Sequence, residues 1–154
     1  MNDELELPIE FDGFTEKLLV HHLGGNLYRA EESSVLGVVQ WKDEFEVERI
    51  EERYRLVRIT RRSGMQTSSF MIPLVVAESA ELKLLLEKVV AAGGNGERIF
   101  GGCLLIHVPE NSKLDVGKEL EQVFALVRER QSPDSLKNKF RRFRQRVLNH
   151  VKLF

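Results

Sequence analysis

Four kinds of side chain in this chain are candidates for chemistry: paired histidines, a cysteine near a histidine, an arginine run and glycine clusters. His21 and His22 are adjacent in a segment expected to be a strand, so one points inward and the other outward and they cannot chelate one ion together. The sequence offers no H-x-x-x-H or H-E-x-x-H spacing and no second cysteine to complete a metal set. Cys103 and His107 share a strand face, but four residues of extended chain hold them about 13 Å apart, too far for direct nucleophile–base contact. A buried, inert thiol is the expectation for Cys103, because activation needs positive charge beside it. No catalytic residue, metal site or cofactor is expected.

The glycines at 93, 94 and 96 follow a helix and lead into a strand, the reverse of a phosphate-cradling loop, where glycines lead into a helix N-terminus. They are read as turns, as is Gly101-Gly102. Arg53, Arg55, Arg58, Arg61 and Arg62 could form an anion-binding sheet face. Simple alternation puts Arg53, Arg55 and Arg61 on one face and Arg58 and Arg62 on the other. The neighbouring Glu44, Glu46 and Glu48 offer a plainer account, cross-strand ion pairs in a hairpin around Glu51-Glu52.

The feature that rises above this background is C-terminal. The net charge of −1 hides an asymmetry: residues 135–154 carry seven basic side chains and no acid, leaving 16 basic and 24 acidic side chains elsewhere. The segment 132–154 is expected to be a detached amphipathic helix, with Leu136, Phe140, Phe143, Val147, Val151 and Phe154 on one face. Lys137, Lys139, Arg141, Arg142, Arg144 and Arg146 supply its charge. Four roles compete for it: docking on its own acidic domain or exchange in a homodimer, nucleic-acid binding through phosphates, an anionic membrane surface, and a groove on another protein. Three phenylalanines on one face favour burial over pure phosphate binding, so docking or dimerisation leads.

The elements that would position these residues read as follows. Residues 1–13, acidic and containing Pro8 and Gly13, are expected to be a loose arm. Residues 14–131 are expected to be one α+β domain, β-rich over 17–76. Lys17–Leu23 and Asn26–Glu31 read as strands around Gly24-Gly25, followed by a short apolar run at Val35–Gln40 and strands at Glu44–Ile50 and Tyr54–Arg62. An antiparallel meander or half-barrel follows from that spacing. Over 66–130 the order is βαββα, a ferredoxin-like half-plait lacking one strand. Its first strand lies within the β-rich Thr67–Val76, and its first helix carries Leu82, Leu85, Leu86, Val89 and Val90. Glu97–Phe100 and Cys103–Val108 follow as a hairpin. Ser112-x-x-Asp115 resembles a capping box for a second helix with Val116, Leu120, Val123, Phe124 and Val127.

The turn Trp41-Lys42-Asp43, the basic strand into Arg62-Ser63-Gly64, and the run Gly93-Gly94…Glu97-Arg98-x-Phe100-Gly101-Gly102…His107-x-Pro109 are similar to an uncharacterised bacterial family of small α+β proteins. The resemblance spans Lys17 to Phe124 and departs from it in the basic C-terminal helix. It implies a shared fold and bacterial origin, with no catalytic residues to carry over.

Composition narrows the class. At 42% hydrophobic and 31% charged the chain is an ordinary globular sequence, and one cysteine permits no intrachain disulfide. The acidic start has no basic, apolar leader, and no apolar run approaches the roughly 20 residues that span a bilayer. The expectation is a cytoplasmic, non-enzymatic binding or protein-interaction domain, with a protein partner or homodimer through the last helix. Its recognition surface would be the face left uncovered by the two helices, or the seam with the β region. Nucleic-acid binding through that helix is the alternative.

Overall fold

The structure is a computed structural model that describes residues 4–99 and 102–132. The segment 133–154, with every lysine, arginine and apolar residue named above for the last helix, lies outside the described residues.

The first half is a closed five-stranded barrel of β1 (Glu4–Phe11), β2 (Phe14–Gly24), β3 (Leu27–Ala30), β4 (Glu44–Ile50) and β5 (Arg53–Arg61). Strands consecutive in the chain are antiparallel. An odd-numbered meander brings its first and last strands together in the same direction, and β1 closes on β5 as a parallel pair at Ile9↔Tyr54 and Glu10↔Arg55. The expected loose arm is therefore corrected: residues 4–11 are the closing strand, and the half-barrel is a whole one. Leu5, Leu7, Ile9 and Phe11 alternate with polar residues and Pro8, and Asp12-Gly13, both at positive φ, form the two-residue hairpin turn into β2. Leu7, Ile9, Phe11, Leu18, Val20, Tyr28, Ala30, Phe45 and Val47 fill the interior.

Two bulges correct the arginine faces. The β4–β5 register shifts between Glu44 and Phe45 and again between Glu46 and Val47, which leaves Val57 and Thr60 without partners on β4. Each extra residue resets the alternation, so Tyr54, Leu56 and Ile59 turn toward the core while Val57 is exposed. Arg55, Arg58 and Arg61 consequently share the outer face and pair with Glu48, Glu46 and Glu44. The cross-strand ion-pair reading holds. These arginines are neutralised neighbours on an outer wall.

The second half is a three-stranded antiparallel sheet, β6 (Met65–Met71), β7 (Asn95–Ile99) and β8 (Cys103–Pro109), in the order β6-β8-β7. Pro73 ends the β-rich run, and Leu74–Ala77 forms a short helix α1 where strand had been expected to continue. Helix α2 (Ala80–Ala91) is capped by the Ser79 hydroxyl, which accepts from Leu82 N. It buries Leu82, Leu85 and Val89, whereas Val90 faces outward. Helix α3 (Val116–Gln131) starts at Asp115, whose carboxylate accepts from Lys118 N; Ser112 instead accepts from Leu114 N. The cap is thus three residues later than the expected box. Both helices cover the sheet face that carries Leu104, Ile106 and Val108, in a core separate from that of the barrel.

Gly94 explains how tightly this layer closes. A Cβ there would lie 2.1 Å from the His107 carbonyl oxygen, so only glycine lets the chain leaving α2 cross β8.

Candidate functional site

The sheet face turned away from the helices carries Thr67, Ser69 and Met71 on β6, His107, Leu105 and Cys103 on β8, and Asn95, Glu97 and Ile99 on β7, in directly opposed rows. One end of this face is sealed by the barrel's β3–β4 connection, residues 31–43. The other end is open.

His107 sits at the sealed end, fully buried. Its Nε2 is 2.8 Å from Glu97 Oε2, and a carboxylate only accepts, so Nε2 carries a proton. Its Nδ1 is 2.8 Å from the Thr67 hydroxyl, which is also 3.2 Å from Gln40 Oε1. With one proton, Thr67 donates to the neutral ring or to Gln40; the latter requires both ring nitrogens to be protonated. Ser33 joins from the barrel side: its N donates to Glu97 Oε1 at 3.0 Å, and its hydroxyl lies 3.3 Å from His107 Nε2 and accepts from Trp41 N. The Trp41 ring leans over the imidazole with centroids 5.9 Å apart, and Lys42 lies over the indole. A polar chain thus ties β6, β7 and β8 to the 31–43 connection.

That connection is itself held in shape. Buried Asp43 accepts from Gln40 N and Ser63 N and pairs with Arg62 at 2.7 Å. Buried Ser34 accepts from Val39 N, and Glu16 accepts from Val35 N. Among the described residues the second, buried Glu16 oxygen has no hydrogen-bond partner; burial pushes this carboxyl above the ordinary value, with Glu32 adding repulsion against the Val35 hydrogen bond. Glu31 behaves oppositely. Burial alone would raise it, but hydrogen bonds and charge from Lys42 and Arg29 outweigh that and hold it below the ordinary value.

Beyond the sealed end the face opens into a groove of about 620 Å³. Ser33, Ser34, Val35, Gly37 and Gln40 form one wall, and Thr67, Ser69, Met71, Leu105, Cys103 and Ile99 form the floor. Met71 on the floor is 71% exposed, as is Leu74 just beyond the end of β6, and Val35 on the wall and its neighbour Leu36 are exposed too. A second hollow of about 400 Å³, lined by Ile72, Leu74, Ala77, Arg98, Ile99, Gly102 and Cys103, shares Ile99 and Cys103 with the groove.

The residues singled out from sequence are not gathered into one site. His22 bonds the Gly25 carbonyl at its own turn, and His21 is half-buried rather than directed into the core. Cys103 lies at the open end of the sheet face, with Leu105 between it and His107. Among the described residues no cluster of histidine, cysteine and acid side chains has metal-binding geometry. Glu97 and His107 stand in the Gly93–Pro109 run without a role assigned to them, whereas no local motif marks Ser33, Gln40 or Thr67: Ser33 is 74 residues from the histidine it approaches.

No family model and no curated protein matches the chain. Its fold is similar to a crystal structure of a hypothetical protein from Neisseria gonorrhoeae, with a TM-score of 0.51 and 15% identity over 82% of this chain and 89% of that one. At that identity the likeness concerns the fold alone. No described helix is long and apolar enough to cross a membrane.

Proposed function

We propose that this chain is a non-enzymatic binding protein whose groove receives an apolar segment of a protein partner. The observation that carries the reading is the division of the sheet face. Thr67, His107 and Glu97 are held in a hydrogen-bond chain at one end, while Met71, Leu105, Cys103 and Ile99, with the Ser69 hydroxyl among them, lie at the other with no described element over them. A pocket that orients a reacting molecule keeps polar groups free to meet it; here they brace a wall. An apolar floor beside a pre-formed wall suits a segment read by its side chains. The βαββα half, with strand order β6-β8-β7, is in this reading a ferredoxin-like plait short of its last strand.

The Thr67–His107–Glu97 chain is a specific reason to weigh an enzyme, since a hydroxyl, an imidazole and a carboxylate are linked in sequence. Against it, the imidazole is fully buried and the Thr67 hydroxyl is also engaged by Gln40.

Titrating labelled protein with a panel of apolar peptides, followed by NMR, tests the proposal. We expect shifts concentrated at Ser69, Met71, Cys103 and Leu105, lost in Leu105→Asp while the barrel resonances stay in place. Peptides that shift only other surfaces would overturn it, as would ester or peptide hydrolysis that disappears in Thr67→Val.

A further inference from the structure

The barrel has consumed its own edges, so the exposed sheet edges among the described residues lie in the three-stranded sheet, along β6 and β7. The two are protected very differently. Strand β7 is five residues long and carries Glu97 and Arg98. Strand β6 is seven residues long, Met-Gln-Thr-Ser-Ser-Phe-Met, without one charge, proline or glycine. Natural edges that must stay single are shortened, charged or interrupted, because an unprotected row of N–H and C=O groups templates pairing.

The sequence of β6 is also nearly self-complementary about Ser68. An antiparallel copy centred there sets Met65 against Met71, Gln66 against Phe70, Thr67 against Ser69, and Ser68 against itself. On the groove face this sets the apolar thioethers of Met65 and Met71 against each other and Thr67 against Ser69, a hydroxyl combination favoured across strands. A centre one residue to either side leaves a terminal methionine of the strand opposite a residue outside it, or opposite a hydroxyl. It also gives the 71%-exposed Met71 a covering partner.

We infer that β6 is a homodimer edge: two copies pair their β6 strands antiparallel about Ser68 into one six-stranded sheet, β7-β8-β6-β6-β8-β7. The two-fold axis stands perpendicular to the sheet, so both grooves open on one side and both helix layers lie on the other. This inference rests on the β6 edge, and because Met71 also lines the groove, the Ser68→Cys cross-link is the readout that adds no change to the groove floor beyond its Cys103→Ser background.

Sedimentation and cross-linking of the full chain test it together. We expect a concentration-dependent dimer in the unaltered protein. In a Cys103→Ser background, Ser68→Cys should give a disulfide-linked dimer under mild oxidation, since residue 68 faces its own copy. Ser69→Cys, displaced two residues from its copy, should give at least tenfold less. Met71→Glu should shift the protein to monomer, and adding Met65→Lys should restore the dimer by opposing the two new charges across the seam. A protein that stays monomeric up to its solubility limit overturns the inference. So does a dimer that cross-links no better at 68 than at 69, or one indifferent to Met71→Glu. Circular dichroism of each variant identifies any that fails to fold, and the conservative Ser68→Cys comparison then decides alone.

Discussion

The barrel and the three-stranded sheet solve the same problem in different ways. The barrel is a sheet closed on itself: its strands alternate apolar and polar residues, its interior is filled by its own side chains, and its outer wall pairs Glu44, Glu46 and Glu48 with Arg61, Arg58 and Arg55. The sheet covers one face with two helices and leaves the other partly bare. A closed element finishes its own hydrogen bonding and burial; an open one must borrow cover. The borrowed cover here is the barrel's 31–43 connection, pinned by His107 and Glu97, and it reaches only half of the face. What remains bare is the groove.

That comparison can be broken most forcefully at Gly94. Gly94→Ala should destabilise the chain by about 3 kcal/mol, the upper range for overpacking, because the added methyl meets backbone on β8. In urea unfolding the midpoint should fall, and hydrogen exchange should show the loss first in β8 and α2, with the barrel amides less affected.

His107→Ala sharpens the comparison by removing the central member of the polar chain between the halves while Ser33–Glu97 and Thr67–Gln40 remain. It leaves Glu97 and Thr67 partly buried without their shared partner, an expected cost of about 2 kcal/mol. Trp41, the chain's one tryptophan, lies against that ring, so its emission should shift with the variant while each core persists. An unchanged emission and an unchanged midpoint would show that the seam does not depend on the histidine.

The smallest effect concerns the connection's own charge. Glu31 has a folded pKa below its ordinary 4.5. Its stabilising contribution is therefore complete above the unfolded value and is lost as pH falls through the lower folded value. Glu31→Gln should cost about 1 kcal/mol at neutral pH, in line with a partly exposed pair, and the difference from the unaltered protein should close in acid. A difference that grew on acidification would reverse the sign argued here.

Much of the architecture is written locally. The apolar stripe Leu82, Leu85 and Val89 and the stripe Val116, Leu120, Val123 and Val127 place α2 and α3 on one core, as periodicity requires. The first strand was legible too, in the alternation of Leu5, Leu7, Ile9 and Phe11 before Asp12-Gly13, although acidity and Pro8 argued for a loose arm. Arg58 could not be placed by alternation, because a bulge is fixed by the partner strand's register and not by the bulged strand's own composition.

The candidate site divides along the same line. Composition and periodicity determined two amphipathic helices, a β-rich first half and a β-rich run over Thr67–Val76, and they offered no contiguous catalytic motif. Tertiary structure alone decided that Ser33, Gln40, Thr67, Glu97 and His107 meet, since they come from the 31–43 connection and three strands. It also decided which half of the sheet face stays bare. Local pattern reflects burial averaged along one element, whereas a site depends on which elements close over one another, and that is set by register and crossing geometry summed over the whole chain.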